Sequence, residues 1–97
     1  MYELQQTETF GQWLTGLRDT RAKARILARL ESVRLGNLGD IRSVGDRVSE
    51  MRIDVGAGYR VYLTRRQRVV IILLCGGVKS TQSRDIVRAK LMAQEIE

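Results

Sequence analysis

The sequence contains no histidine and a single cysteine among its 97 residues. These absences exclude the usual zinc sites, which are built from Cys and His, and any catalytic triad with a histidine base. A lone cysteine cannot form a disulfide within the chain, and because Cys75 lies in the apolar run VVIILLC we predict a buried, reduced thiol. The carboxylates show no spacing typical of calcium ligands, so no metal or other cofactor is expected.

The sequence also lacks long apolar segments. No run reaches the ~18 apolar residues needed to span a bilayer. The N-terminal residues MYELQQ do not combine a basic segment with an apolar one, as a secretory signal would. We therefore expect a soluble, cytoplasmic protein with no membrane partner. With no linker or repeat, and with 43% hydrophobic residues, the chain should form one domain over residues 1–97.

Positive charge is what the sequence has in excess. Lys and Arg together number 17 and Asp and Glu 11, which gives a net charge of +6. Arginine dominates this excess, and its planar guanidinium suits phosphate and carboxylate groups. The expected partner is therefore a nucleic acid or an acidic protein.

Apolar residues at helical spacing predict helices over residues 8–17, 20–35 and 81–97. Trp13 in the first helix is predicted to belong to the core. Arginines along and just before the second helix lie beside its apolar stripe, and those of the third helix lie on the side opposite its stripe. All are candidates for contacting RNA: Arg18, Arg21, Arg25, Arg29, Arg84 and Arg88. The alternative is that such arginines are solvated, or packed by an acidic partner segment.

The remaining segments show the patterns of strands, over residues 2–6, 41–44, 48–55, 59–64 and 69–74. Short turns join the last four and favour antiparallel pairing. The run VVIILLC lacks alternation, which is typical of a strand covered on both faces. We predict an α+β fold of order β-α-α-β-β-β-β-α, in which a mostly antiparallel twisted sheet is packed by two N-terminal helices and a C-terminal helix.

The first candidate site lies on the hairpin formed by the third and fourth predicted strands. If the aliphatic side chains of this hairpin are buried, alternation sends Arg52, Asp54, Arg60 and Tyr62 together to the open face of the sheet. Such a group would bind a phosphate and stabilise charge developing on it. The alternative is a set of cross-strand ion pairs on a solvated sheet, each contributing about 0.2 to 1 kcal/mol.

The second candidate site is the segment from Gly76 to Gln82, which follows a buried strand and precedes the last helix. Lys79 and the backbone amides at the helix start would form an anion site, although the spacing of a P-loop is absent. The alternative is a flexible strand-to-helix turn. An enzyme of this composition would draw its acid and base from Lys, Asp, Glu or Tyr, with Arg supplying charge.

The segments RIDVGAGYRVYL and GGVKSTQSRDIVRAK, with an apolar strand between them, closely resemble phage-derived addiction-module killer proteins of the RelE/ParE toxin superfamily, a group that includes HigB-like toxins. The resemblance extends over about the whole chain. It implies a RelE-like fold and a small cytoplasmic toxin of a bacterial type II toxin-antitoxin system. Such a toxin forms a hetero-oligomer with its antitoxin, often a helix-turn-helix protein.

RelE-like members are mRNA interferases, which inhibit translation by cutting mRNA on the ribosome through attack of the ribose 2′-hydroxyl on the adjacent phosphate. By position, the resemblance makes Arg60 the residue that stabilises the phosphoryl oxygens and adds Arg52 and Lys79 as basic neighbours. The catalytic tyrosine of RelE, early in the last helix, has no counterpart in residues 80–97. Either positional electrostatics carry most of the rate, or proton transfer passes to one of three residues, Asp54, Asp85 or Tyr62.

ParE-like relatives imply an alternative from a different class. They are non-enzymatic toxins that poison DNA gyrase through protein contact, and their important residues would be surface positions on helices. A third interpretation is a degraded phage product that folds and binds its antitoxin without any other activity.

Overall fold

The helices and strands follow one another in the predicted order. The structure, a computed structural model, describes residues 1–96; Glu97, which our prediction placed in the last helix, lies outside the described residues. The elements are β1 (Glu3–Gln6), α1 (Glu8–Thr15), α2 (Thr20–Arg34), β2 (Ile41–Gly45), β3 (Val48–Ile53), β4 (Tyr59–Arg66), β5 (Val70–Val78) and α3 (Gln82–Glu95), with a 3-10 turn at Lys79–Thr81. The predicted α+β class is confirmed.

Both N-terminal helices begin at polar caps. The Thr7 hydroxyl accepts a hydrogen bond from the Phe10 amide at 3.0 Å, and Asp19 Oδ1 accepts one from the Ala22 amide at 3.0 Å. Such caps satisfy backbone donors that have no partner within the helix. The Thr7 hydroxyl also donates to the Leu74 carbonyl at 2.6 Å, which ties the start of α1 to β5.

The sheet has the strand order β1-β5-β4-β3-β2. The pairs β2–β3, β3–β4 and β4–β5 are antiparallel, and β1 pairs with β5 in parallel. The strand β5 is therefore an interior strand, and residues 71–77 are all buried. This confirms the prediction that the unbroken apolar run is covered on both faces.

Each face of the sheet carries its own core. On one face α1 and α2 pack through Phe10, Ile26 and Val33 against β3, β4 and β5, and Trp13 packs against this cluster as predicted. On the other face α3 packs through Ala89 against a cluster that includes Tyr62. The second face is thus covered, and the prediction that it is open was wrong: Tyr62 is 0% exposed and Arg60 4% exposed.

Two glycines that we assigned to a strand-to-helix loop belong instead to β5. A Cβ atom at Gly76 would overlap the Trp13 ring, and one at Gly77 would overlap the Asp85 carboxylate. Glycine inside a strand is typical of a close approach by another group. These two positions therefore allow α1 and α3 to pack closely on opposite faces of the same strand.

None of the helices within residues 1–96 is both long and apolar enough to cross a membrane.

Candidate functional site

A fully buried carboxylate lies on the face of the sheet that α3 covers. Glu50 on β3 has 0% exposure. Its Oε2 atom accepts hydrogen bonds from the Tyr62 hydroxyl at 3.1 Å and from Gln82 Nε2 at 2.7 Å. The strand register places Glu50 opposite Tyr62 on β4 and opposite Arg42 on β2, while the first turn of α3 supplies Gln82. Four elements therefore converge on one carboxylate.

Three arginines surround this carboxylate. Arg42 Nε lies 3.5 Å from Glu50 Oε1, Arg52 Nε lies 3.6 Å from the same oxygen, and Arg60 Nε lies 4.0 Å from Oε2. Their side chains are 56%, 34% and 5% exposed. Three positive charges thus meet one negative charge. We call this group the Glu50 cluster: Arg42, Glu50, Arg52, Arg60, Tyr62 and Gln82.

Several polar atoms of the Glu50 cluster are buried without a partner. Within residues 1–96, Glu50 Oε1, Arg52 Nε and Arg60 Nε make no hydrogen bond. The Arg60 Nη1 atom donates to the Tyr59 carbonyl at 3.3 Å. Buried polar atoms are almost always paired, because an unpaired one costs its full desolvation penalty. The Arg60 guanidinium is therefore incompletely paired by the described residues.

The protonation states in the Glu50 cluster follow from burial and charge. Burial alone would raise the pKa of Glu50, but hydrogen bonds from Gln82 and Tyr62 and the charges of Arg60 and Arg42 outweigh it, so the pKa lies below its ordinary value. Burial, then the Glu50 charge and hydrogen bond, raise the pKa of Tyr62. Glu50 is consequently charged at neutral pH, and Tyr62 holds its proton.

Lys79 lies beside Arg60 at one end of the sheet. A Cβ atom at Gly58, in the turn between β3 and β4, would lie 3.3 Å from Lys79 Cβ and 3.7 Å from Arg60 Nη1. The Lys79 amide donates to the Gly58 carbonyl at 2.7 Å, which joins the turn to the end of β5. The Lys79 side chain is exposed. The structure thus brings together two of the predicted site residues from separate parts of the sequence.

Asp54 and Asp85 both lie outside the Glu50 cluster. Asp54 follows the end of β3 and is exposed. Asp85 is 4% exposed, and its Oδ2 accepts a hydrogen bond from the Thr81 hydroxyl at 2.5 Å. This carboxylate occupies the first turn of α3, where we predicted an anion site built from backbone amides and Lys79.

The arginines of α2 lie on the other side of the sheet from the Glu50 cluster. Arg21 and Arg25 on α2, and Arg18 just before it, are exposed. Arg29 donates from Nη1 to the Arg52 carbonyl at 2.6 Å, and from Nη2 to the carbonyls of Leu38 and Asp40 at 3.3 and 3.4 Å. Its guanidinium therefore binds backbone, which leaves fewer of its N–H donors for RNA than those of the exposed arginines.

The candidate arginines of α3 behave differently from Arg29. Arg84 and Arg88 are both exposed, and Arg84 Nε lies 4.0 Å from Asp85 Oδ1. Both project from the helix that covers the Glu50 cluster, so they add positive charge on that side of the molecule.

Sequence reasoning missed Arg42 and Glu50, and it named Gln82 only as the end of the second candidate site. The signal for Glu50 was present, because alternation along β3 puts it on the same face as Arg52. Its importance was not visible, since a glutamate next to an arginine in a strand is ordinarily a solvated ion pair. No group of three or more Cys, Asp or Glu side chains in the described part of the chain is arranged to hold a metal ion.

Comparison with known proteins shows a relative of nearly the same length. The chain is 54% identical over 94 residues to a curated protein of Haemophilus influenzae, described as an uncharacterized protein, and the match covers 97% of this chain and 95% of the relative. The chain therefore belongs to the same family as that protein. No protein-family model matches the chain.

Proposed function

We propose that the protein is the toxin of a bacterial type II toxin-antitoxin system and cleaves mRNA on the ribosome. The observation that carries this proposal is the buried, incompletely paired guanidinium of Arg60. It lies 4.0 Å from a carboxylate that also faces two other arginines, and Lys79 flanks it across Gly58. The resemblance of the hairpin and of the segment around Lys79 to RelE/ParE toxins supports the same function.

A phosphodiester is the ligand that suits this arrangement. One carboxylate among three arginines leaves positive charge in excess, and the side chains of Arg42 and Arg52 are partly exposed. Guanidinium groups bind phosphate oxygens through charge-assisted hydrogen bonds. In the proposed reaction Arg60 binds the phosphate that is cleaved, while Arg42, Arg52 and Lys79 neutralise it and its neighbours.

The proposed chemistry is an internal transesterification. The 2′-hydroxyl oxygen gives up its proton to water and forms a bond to phosphorus. The bond from phosphorus to the 5′ oxygen breaks and that oxygen takes up a proton, which leaves a cyclic phosphate and a free 5′-hydroxyl. Negative charge accumulates on the phosphoryl oxygens in the transition state, and fixed positive groups near them lower the barrier. In this scheme Lys79, which is exposed beside Arg60, donates a proton to the leaving oxygen.

Tyr62 is a poor candidate for the base in this reaction. Its hydroxyl donates to Glu50, and its raised pKa keeps the proton on the oxygen at neutral pH. Asp54 lies outside the cluster, and Asp85 Oδ2 accepts a hydrogen bond from the Thr81 hydroxyl, so neither carboxylate is a better candidate for the base. Rate enhancement by charge and orientation is therefore the mechanism that these residues favour.

The test is a primer-extension assay of mRNA on translating ribosomes with wild type and Arg60→Ala. We expect cuts that require ribosomes, and a rate about 10²- to 10³-fold lower for Arg60→Ala, because one group stabilising the transition state is lost. Arg68→Ala is the matched control, since it removes the same charge from an exposed turn. It should cleave at the wild-type rate.

Circular dichroism must show that Arg60→Ala is folded. A folded variant that cleaves as fast as wild type would contradict the proposal. So would a wild-type protein that leaves the message intact on translating ribosomes.

A second candidate function, poisoning of DNA gyrase by protein contact, is favoured by one observation. Val87 and Leu91, one turn apart on α3, are 60% and 57% exposed. Neighbouring apolar side chains on a helix surface suit a protein partner. A supercoiling assay separates the two functions: gyrase inhibition with intact mRNA would support this candidate and exclude the nuclease.

A further inference from the structure

Glu50 has no surface left with which to contact a substrate. The residue is 0% exposed. Its Oε2 accepts hydrogen bonds from Tyr62 and Gln82, and its Oε1 faces Arg42 and Arg52. A ligand cannot reach the oxygens of this carboxylate without displacing the side chains around it. Any effect of Glu50 on a ligand must therefore pass through those side chains.

The three arginines approach Glu50 in the same manner. In each pair the guanidinium nitrogen nearest the carboxylate is Nε, at 3.5 to 4.0 Å. A bidentate pair, by contrast, would engage two nitrogens of one guanidinium with both carboxylate oxygens. Within the described residues, the Nη atoms of Arg42 and Arg52 donate no hydrogen bond, and Arg60 uses Nη1 for the Tyr59 carbonyl.

We propose that Glu50 is a positioning residue, which orients the guanidiniums of Arg52 and Arg60 for phosphate while the cluster keeps a net positive charge. Tyr62 and Gln82 hold the carboxylate, and the carboxylate holds the Nε side of each arginine. The Nη atoms of Arg52 and the Nη2 atom of Arg60 remain for the phosphate oxygens. This inference rests on the proposed function, because it assigns to Glu50 a part in the same cleavage reaction.

The first test measures cleavage by Glu50→Gln on programmed ribosomes, with ribosome concentration varied. The glutamine keeps the size of the side chain and removes its charge. We expect kcat to fall about 100-fold, because misplacing a catalytic group by about 1 Å has an effect of this size. KM should change much less. Glu50→Asp keeps the charge and should recover part of kcat, whereas a wild-type kcat for folded Glu50→Gln would overturn the proposal.

A double-mutant cycle shows whether Glu50 acts through Arg60. If it does, Glu50→Gln should lower the rate in the wild-type background but add little in the Arg60→Ala background. Equal losses in both backgrounds would overturn the proposal, since Glu50 would then act independently of Arg60.

A measurement without ribosomes separates this inference from the proposed function. In ¹⁵N–¹H correlation spectra, the Nε–Hε signals of Arg52 and Arg60 should shift in Glu50→Gln, while most backbone amide signals stay in place. Unchanged Nε–Hε signals would overturn the positioning role even if wild type cleaves mRNA. If wild type fails to cleave but these signals shift, the proposed function is refuted and Glu50 still orients the arginines.

Tyr62→Phe provides a second variant in case Glu50→Gln does not fold. It removes one of the two donors to Glu50 Oε2 and leaves the charge of the carboxylate intact. We expect the same Nε–Hε signals to shift and kcat to fall by less than in Glu50→Gln. Wild-type kcat and unchanged signals in folded Tyr62→Phe would contradict the proposal.

Discussion

At the scale of single residues, the arginines of this protein carry the same charge but differ in their burial and in the groups that they contact. Arg29 binds three backbone carbonyls, Arg60 is buried beside a shared carboxylate, and Arg25 is exposed on α2. A guanidinium has five N–H donors, so its role depends on which acceptors the fold brings within reach. Charge in the sequence therefore says less about RNA contact than the acceptors around each side chain.

The Arg29→Ala variant tests this distinction. Removing the guanidinium takes a charged donor from the carbonyls of Leu38, Asp40 and Arg52, of which Asp40 keeps the Arg52 amide at 3.2 Å. We expect the free energy of unfolding to fall by about 1.5 to 3 kcal/mol. Urea denaturation measures it. Arg25→Ala, which removes the same charge from an exposed site, should change stability by no more than about 0.5 kcal/mol. Equal effects for the two variants would contradict the structural role of Arg29.

At the scale of elements, the strand β5 organises the molecule, because it receives a helix on each face. Gly76 lies under Trp13 of α1, and Gly77 lies under Asp85 of α3. The absence of two side chains lets both helices approach the backbone of the strand. That approach brings α3, and with it Gln82, close enough to reach Glu50.

The Gly76→Ala variant should therefore destabilise the protein. Its methyl group would force Trp13 to move, and overpacking of this kind costs about 1 to 3 kcal/mol. Urea denaturation of Gly76→Ala, Trp13→Leu and the double variant provides the check. The cost of Gly76→Ala should be smaller in the Trp13→Leu background, since leucine is smaller. An unchanged cost would show that strand conformation, and not the indole ring, requires glycine.

At the scale of the whole molecule, each face of the sheet has its own core, and α3 covers one of the two faces. Under this helix lie both the Glu50 cluster and the apolar cluster that contains Cys75. Burial is the main cause that raises the pKa of the Cys75 thiol to about 11, with Asp85 adding to it and Arg88 opposing it. A thiol reagent reaches Cys75 only when α3 leaves the sheet or the whole domain unfolds.

Thiol labelling accordingly reports the opening of the domain. At pH 8 we expect folded protein to react at least about 100-fold more slowly than protein in denaturant. Burial keeps the reagent away from the sulfur, and the raised pKa lowers the fraction of reactive thiolate. The labelling rate of the folded protein should rise as pH approaches 11, because the fraction of Cys75 present as thiolate increases toward its pKa. Rapid labelling of folded protein at pH 8 would show that α3 does not cover Cys75.

Much of the fold was predictable because the signals that define it are local. Apolar spacing located α1 and α2 to within a few residues, and alternation located β3 and β4. The ends were less predictable: β5 continues to Val78, since its two glycines are required by packing and do not mark a turn.

The sequence by itself determined the order of elements and the pairing of Arg60 with Arg52 across a hairpin, since both depend on neighbours in the chain. The unbroken apolar run also predicted that β5 is covered on both faces, although the parallel partner that makes it interior is the distant β1. Only the tertiary structure decided that α3 covers this face, that Glu50 is buried among three arginines, and that Lys79 lies beside Arg60. The physical reason is that burial of a charge depends on which distant element packs over it, and the α3 stripe does not specify the face that it will cover.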